Sequence, residues 1–302
     1  MSSVRCSAEV ADALTEGRAV VALESTIFSS LGLPSPHNEE ALHRCESAIR
    51  AAGAVPAMTA VLDGVAVAGV EAHEVERVLG GTAKTSSRDL PVALGQRWPV
   101  GVTTVAGSLA IADQVGIAVF ATGGIGGVHR GSERTGDVSA DLGALALYSV
   151  CTVTAGAKAF LDLGKTVEYL DTLGVPLLGY QTDYFPAFYS RSSGRSVQAR
   201  VETASEVAAI IAAAREFGYR GGLVLGNPIP TEAEISEEEI EASLSSALEQ
   251  VEQLQISGPG VTPFLLAAIA QATSGRSLPA NLALAESNAS LAAEVAVALA
   301  GH

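Results

Sequence analysis

IAVFATGGIGGVHRGSERTGDVSADL, residues 117–142, runs from an unbroken apolar segment through a glycine-rich loop to a serine poised before a helix-forming stretch. The first eight residues read as a buried strand, and Ser139 reads as the cap of a helix near 140–148. Similar units recur on both sides. AVVALEST, residues 19–26, reads as a strand, followed by a helix over 38–52 with Asn38 as its cap. Residues 55–69 read as two strands around Asp63-Gly64, a strong hairpin signal. Helices are expected near 71–79, 88–96 and 104–115, then a strand over 149–154 and a helix over 158–172. VPLLGY and GGLVLGN read as further strands, the last 65 residues read as largely helical, and SRSSGRS at 190–196 reads as a mobile loop. Short β-branched runs alternating with amphipathic stretches predict an α/β fold: a three-layer α/β/α arrangement around a mainly parallel central sheet.

The chain has 302 residues, 48% of them hydrophobic, enough to bury a large core within one domain spanning 1–302. Every long apolar stretch can be divided into a helix and a strand, and no basic-then-apolar leader opens the sequence; a soluble, cytoplasmic protein away from membranes is expected. Cys6, Cys45 and Cys151 form neither a disulfide framework nor a metal-type pair. A formal net charge of -15 repels nucleic acid and acidic membranes, so any phosphate must be held by a local pocket.

Of 18 basic residues only Lys84, Lys158 and Lys165 are lysines. Arginine cannot form a Schiff base or lose its proton near neutrality, whereas lysine can. A GC-rich genome explains the arginine bias, but not the survival of these three. Lys158 follows VTAGA and is flanked by Ala155, Gly156, Ala157 and Ala159, which leave room beside its amine. Partial burial there favours a nucleophile, while a lysine snorkelling from a helix start accounts for the same spacing.

Ligands of parallel α/β sheets bind beyond the carboxyl ends of strands, which directs attention to polar residues there. Glu24 ends an apolar strand, a position suited to a general acid of raised pKa. Asp137 and Asp141 lie four apart around a helix start; they suit a divalent metal or an anion site, and equally a solvated cap. The loop TGGIGGVHRG lacks the third glycine of a dinucleotide fingerprint, so it cradles a ligand or makes a tight turn. Lys84 with Arg88 offers charge for a phosphate, or is ordinary surface.

In order along the chain, VALESTI, PAMTAVLDG, KTSSRDL, GVTTVAGSL, FATGGIGGVHRG, DVSADL, AGAKAFLD, LGVPLLGYQTDYFPAFY, GNPIP and VTPFLL resemble the pseudouridine-5'-phosphate glycosidase (indigoidine synthase A-like) family from about residue 7 to 300. The resemblance implies a homotrimer using Mn2+ or another divalent cation. It further implies Glu24 as proton donor, Lys158 as nucleophile and Asp137 as metal ligand. Lys84, Thr104, Val105, Ser139, Ala140 and Asp141 match substrate contacts, with His129 and Asn281 near the base. The implied chemistry makes or breaks a C–C glycosidic bond between ribose 5-phosphate and an aromatic or nucleobase aglycone. Such a bond offers no heteroatom leaving group, so an amine must act as electron sink.

The chain departs from the family pattern on the aglycone side. A His-Gly-Met-Pro-Tyr-Pro run is replaced by Leu31-Gly32-Leu33-Pro34-Ser35-Pro36, a phenylalanine by Gly136, an Asn-Asn pair by Ser287-Asn288, and the lysine before VTPF is missing in SGPG. A larger, less polar aglycone pocket is therefore expected, as in a prealnumycin-type C-glycosynthase of natural-product biosynthesis. Cleavage of pseudouridine 5'-phosphate to uracil is the alternative, and a non-catalytic sugar-phosphate binding protein is the rival from another class.

Overall fold

A near-continuous apolar strand demands cover on both faces, and VVAL at residues 20–23 is buried at all four positions. The computed structural model, which describes residues 4–254 and 261–301, builds a large sheet from such segments. Its strands are β1 (Val4–Cys6), β2 (Val20–Leu23), β3 (Val55–Leu62), β4 (Val65–Ala68), β5 (Lys84–Thr85), β6 (Val100–Thr103), β7 (Val119–Ala121), β8 (Cys151–Thr154), β9 (Leu177–Tyr180), β10 (Ala199–Val201) and β11 (Leu223–Gly226). The spatial order is β1-β4-β3-β2-β7-β8-β11-β9-β10, with β6 pairing both β3 and β5. All pairings are parallel except those of β3 with β4 and with β6. The sheet is therefore mixed but mainly parallel, and helices flank it.

The hairpin forms at Asp63-Gly64, where φ is 53° and 77°, the left-handed pair that a tight two-residue turn requires. Ser139 caps Ala140–Leu147 as expected, and Thr104 caps Val105–Val115. Elsewhere local signals yielded to tertiary bonds. Asn38 does not cap: the helix His37–Ala51 begins before it, and its buried amide donates to the Phe28 carbonyl at 3.0 Å. The helix expected from 158 begins only at Leu163, capped by Asp162. Residues 157–162 instead bond to the glycine-rich loop, with Lys158 N–H on the Ile125 carbonyl and Asp162 N–H on that of Val128. Nor does 190–196 hang free, because Phe185 exchanges backbone bonds with Ser193 and Arg195, and Ser190 is buried. The SGPG segment lies outside the described residues.

The C-terminal helix Ser277–Ala300 does not divide into helix and strand. It is long and apolar enough to cross a membrane by length and composition, yet it packs in the core against His37–Ala51 and Ala204–Phe217 and across β7, β8 and β2. Asn281, Asn288 and Glu286 interrupt its apolar pattern.

Register places the site. Leu23 pairs with Ala121, Ala121 with Val153, and Thr154 with Gly226. Glu24, Thr122, Ala155 and Asn227 consequently emerge at one edge, the carboxyl ends of four adjacent parallel strands. Gly156 turns the chain there with φ of 97°, and a Cβ on it would lie 1.9 Å from the Pro186 carbonyl oxygen. Gly156→Ala is expected to destabilise the protein by roughly 3 kcal/mol or more, from clash and strain together. Urea unfolding measures this, and a loss below about 1 kcal/mol would contradict the packing described.

Candidate active site

Glu24 leaves β2 where the sheet is most enclosed, and the residue is only 5% exposed. The Thr122 hydroxyl donates to Oε1. Burial raises the carboxyl's pKa above the usual glutamate range; the positive charge of Lys158 and the Thr122 hydrogen bond offset part of that rise. Asp141 adds to the rise and Lys84 opposes it. The resulting group holds a proton at higher pH than a solvated glutamate. Immediately beyond it, Ser25 joins Thr59, Thr103 and Ser108 in a buried hydroxyl cluster that ties the ends of β2 and β6 to the middle of β3.

Lys158 is half-buried on the segment after β8, and its amine has no hydrogen-bond or ion-pair partner among the described residues. Its charge acts through space on Glu24, Lys84 and His129. Lys84, on β5, keeps access to solvent, but neighbouring protein strips part of its hydration and Lys158 repels it. Its pKa falls below the lysine range for those reasons, in that order. Lys165 is different: it pairs with Glu133 at 2.9 Å and Asp162 at 3.3 Å on the surface. The three lysines thus divide into one surface ion pair and two amines near enough to repel one another.

Two helix starts border the same strand edge. Thr104 Oγ1 accepts from Gly107 N–H, and Ala106 N–H donates to Asp141 Oδ1 at 3.0 Å. The first N–H of that helix, on Val105, has no partner among the described residues and suits an anion. The Val105 side chain itself lies in the core. Asp141 Oδ2 accepts from Gly126 N–H at 2.8 Å, so both carboxylate oxygens brace the Val105–Val115 helix against the glycine-rich loop. Gly126 has no room for a side chain, since a Cβ would lie 2.2 Å from Ser139 Oγ. Ser139 N–H bonds Gly127, and Ala140 is exposed beside it.

Asp137 is exposed, with Oδ2 3.8 Å from His129 Nδ1. Burial lowers the His129 pKa; Asp137 opposes this while Lys158 and Lys84 reinforce it, favouring the neutral ring. No three His, Cys, Asp or Glu side chains gather into a metal cluster among the described residues. A lone accessible carboxylate fits only a heavily hydrated divalent ion. Asn281 is buried on Ser277–Ala300, its amide nitrogen donating to Tyr189 Oη at 2.7 Å and to the Ser277 carbonyl; no described contact joins it to Lys158 or Glu24. Surface clefts lined by Glu239 and Gln271, and by Arg18 and Arg215, contain none of these side chains. Thr122 and Asn227 stand in the FATGGIGGVHRG and GNPIP runs without an assigned role, and Asn288 entered only through the Ser287-Asn288 departure. Thr122 follows β7 in the rank where Glu24 follows β2, a relation visible only once the strands are in register.

The family model for indigoidine synthase A like protein matches residues 9–298. A pseudouridine-5'-phosphate glycosidase of Geobacillus kaustophilus is 48% identical over 294 residues, covering 96% of each chain. That of Escherichia coli is 48% identical over 299 residues, covering 97% of this chain and 94% of its own. The crystal structure of the prealnumycin C-glycosynthase AlnA in complex with ribulose 5-phosphate gives a TM-score of 0.91 at 39% identity, covering 99% of this chain and 97% of that one. An indigoidine synthase A-like protein of Thermotoga maritima gives 0.89 at 37%, covering 98% and 96%.

Because the Glu24 pKa is raised on folding, its stabilising contribution is complete below the ordinary glutamate range and is lost as pH climbs through the raised value. Glu24→Gln has no such proton to lose. The stability of Glu24→Gln relative to wild type is therefore expected to rise with pH, at a limiting slope of about 1.4 kcal/mol per pH unit. Urea unfolding across pH 5 to 9 reads it, and a pH-independent difference would show that the carboxyl is not held in its acid form.

Proposed function

The chain belongs to the indigoidine synthase A-like protein family, and from that membership we propose that it cleaves pseudouridine 5'-phosphate to uracil and ribose 5-phosphate through a covalent adduct on Lys158. It is a C-glycosidic lyase of the pseudouridine-5'-phosphate glycosidase type. The reading rests on an amine without a partner among the described residues whose charge acts through space on a buried, proton-holding carboxyl at the same strand edge.

In this reading the Glu24 proton passes to the ribose ring oxygen as the C1'–O bond breaks, and the neutral Lys158 amine adds to C1'. The nitrogen, now an ammonium, returns a proton to the Glu24 carboxylate. Glu24 delivers that proton to the base carbon while the freed nitrogen lone pair forms the C1'=N iminium, and the C–C bond breaks with its electrons restoring the base. Water then hydrolyses the iminium, returning the amine and releasing ribose 5-phosphate. Lys84 and the open N–H of Val105 receive the phosphate or sugar oxygens, with Ser139 to Asp141 forming the opposite wall and His129 beside the base. Asp137 is the residue that would hold a hydrated Mn2+ or similar ion, which would supply positive charge for phosphate and sugar oxygens. A homotrimer is part of the proposal.

The bulkier aglycone remains a second reading. Gly136 is exposed at φ of 67°, and a Cβ there would meet nothing within 4 Å, so this flank is open. The glycosidase relatives at 48% identity against 39% for the C-glycosynthase weigh towards uracil.

Purified protein with manganese is expected to release uracil from pseudouridine 5'-phosphate. Lys158→Ala should abolish turnover, and Glu24→Gln should lower kcat by about 10²–10⁴-fold. Wild-type activity should decline on the alkaline side as Glu24 loses its proton. If uracil release is absent while a larger aromatic aglycone is joined to ribose 5-phosphate, the second reading replaces the first; turnover by Lys158→Ala would remove the covalent route.

A further inference from the structure

Helix Ser277–Ala300 lies over the sheet with an apolar face of Leu284, Ala285, Leu291 and Ala292, yet it carries Asn288 at no exposure among them. Packing alone would favour an aliphatic residue, since a buried amide is costly unless its donors and acceptor are matched. Here they are matched in a chain. Asn288 Nδ2 donates to the Thr122 carbonyl at 2.8 Å, with the Gly123 carbonyl at 3.4 Å. Asn288 Oδ1 accepts from Asn227 Nδ2 at 3.0 Å, and that amide nitrogen also reaches Ser287 Oγ at 3.1 Å. Asn227 is fixed in turn by its own N–H on the Thr154 carbonyl. The chain of bonds crosses from the end of β11 through the helix to the first residues beyond β7, and ends where the Thr122 hydroxyl meets Glu24.

We propose that Thr122 is a positioning residue for the Glu24 carboxyl, and that Asn288, braced by Asn227, fixes Thr122 for that task; the inference rests on Glu24 being the acid of the proposed reaction. Among the described residues Thr122 makes the sole side-chain hydrogen bond to Glu24. The charged groups that face Glu24 act through space: Lys158 from the segment after β8, Asp141 from Ala140–Leu147, and Lys84 from β5. The hydroxyl therefore has two effects that those charges lack. It fixes one carboxyl oxygen so that the other is left for the substrate, and it favours the ionised form by a directional bond. A network serving only to hold helix to sheet would have no reason to end on this carboxyl.

Thr122→Val, Thr122→Ser, Asn288→Ala and the double variant Thr122→Val/Asn288→Ala test it by two readouts. The first is the titration of the Glu24 carboxyl by 13C NMR in protein labelled at glutamate, assigned by the signal missing from Glu24→Gln. The second is the pH profile of kcat with pseudouridine 5'-phosphate. Thr122→Val is expected to move the Glu24 midpoint, and the alkaline limb of kcat with it, to higher pH. It should lower kcat about ten-fold while KM stays within about two-fold. Thr122→Ser restores both. Asn288→Ala moves the midpoint the same way, and Thr122→Val adds less in that background than alone; this variant carries the test if Thr122→Val does not fold. An unchanged midpoint in Thr122→Val and in Asn288→Ala, or strictly additive effects, would overturn the proposal. If wild-type protein does not cleave pseudouridine 5'-phosphate, the functional reading falls, while the NMR titration still judges the network.

Discussion

A carboxyl group removed from water is the constraint to which the rest of the site answers. Glu24 cannot ionise freely at the end of β2, because burial penalises its charge more than any neighbour relieves it. Nearby Lys158 offsets part of the penalty through space, and Thr122 offsets a further part by direct contact. The two groups with opposite chemical tasks are thereby coupled. In the proposed reaction the same proximity would let both act on one sugar, the acid at its ring oxygen and the amine at C1'.

Such placement requires rigid supports, and the sheet supplies them. Parallel register aligns the ends of β2, β7, β8 and β11, so consecutive loops open on the same edge. Asp141 then joins two of those supports, a helix start and the glycine-rich loop, with one carboxylate oxygen on each. The hydroxyl cluster of Ser25, Thr59, Thr103 and Ser108 performs a comparable service beneath Glu24. In the proposed reaction, phosphate recognition would fall to local groups, since the chain as a whole carries a net charge of -15.

Much of this was legible before the fold. Apolar runs such as VVAL and IAVF revealed a parallel α/β sheet, because only covered strands tolerate them. Scarcity singled out Lys84 and Lys158, and the small neighbours of Lys158 marked an open turn. The start of the helix after Lys158 was misread, since nothing local shows that Ile125 and Val128 draw residues 158–162 into backbone pairing. Asn38 looked like a cap but serves the Phe28 carbonyl instead. Asp141 could be read as a metal or substrate ligand or as a solvated cap, whereas its two oxygens hold backbone N–H groups 20 residues apart in sequence, at Ala106 and Gly126. Thr122 and Asn288 drew no role from the sequence for a similar reason: their partners are set by strand register and helix docking.

The central claim is that Lys158, rather than either other lysine, forms the bond to the sugar. Borohydride reduction in the presence of ribose 5-phosphate, followed by peptide mass spectrometry, tests it most directly. The account predicts a single reduced sugar-phosphate adduct on Lys158, absent from Lys84 and Lys165. An adduct on Lys84, or an unmodified Lys158 under conditions of turnover, would contradict it.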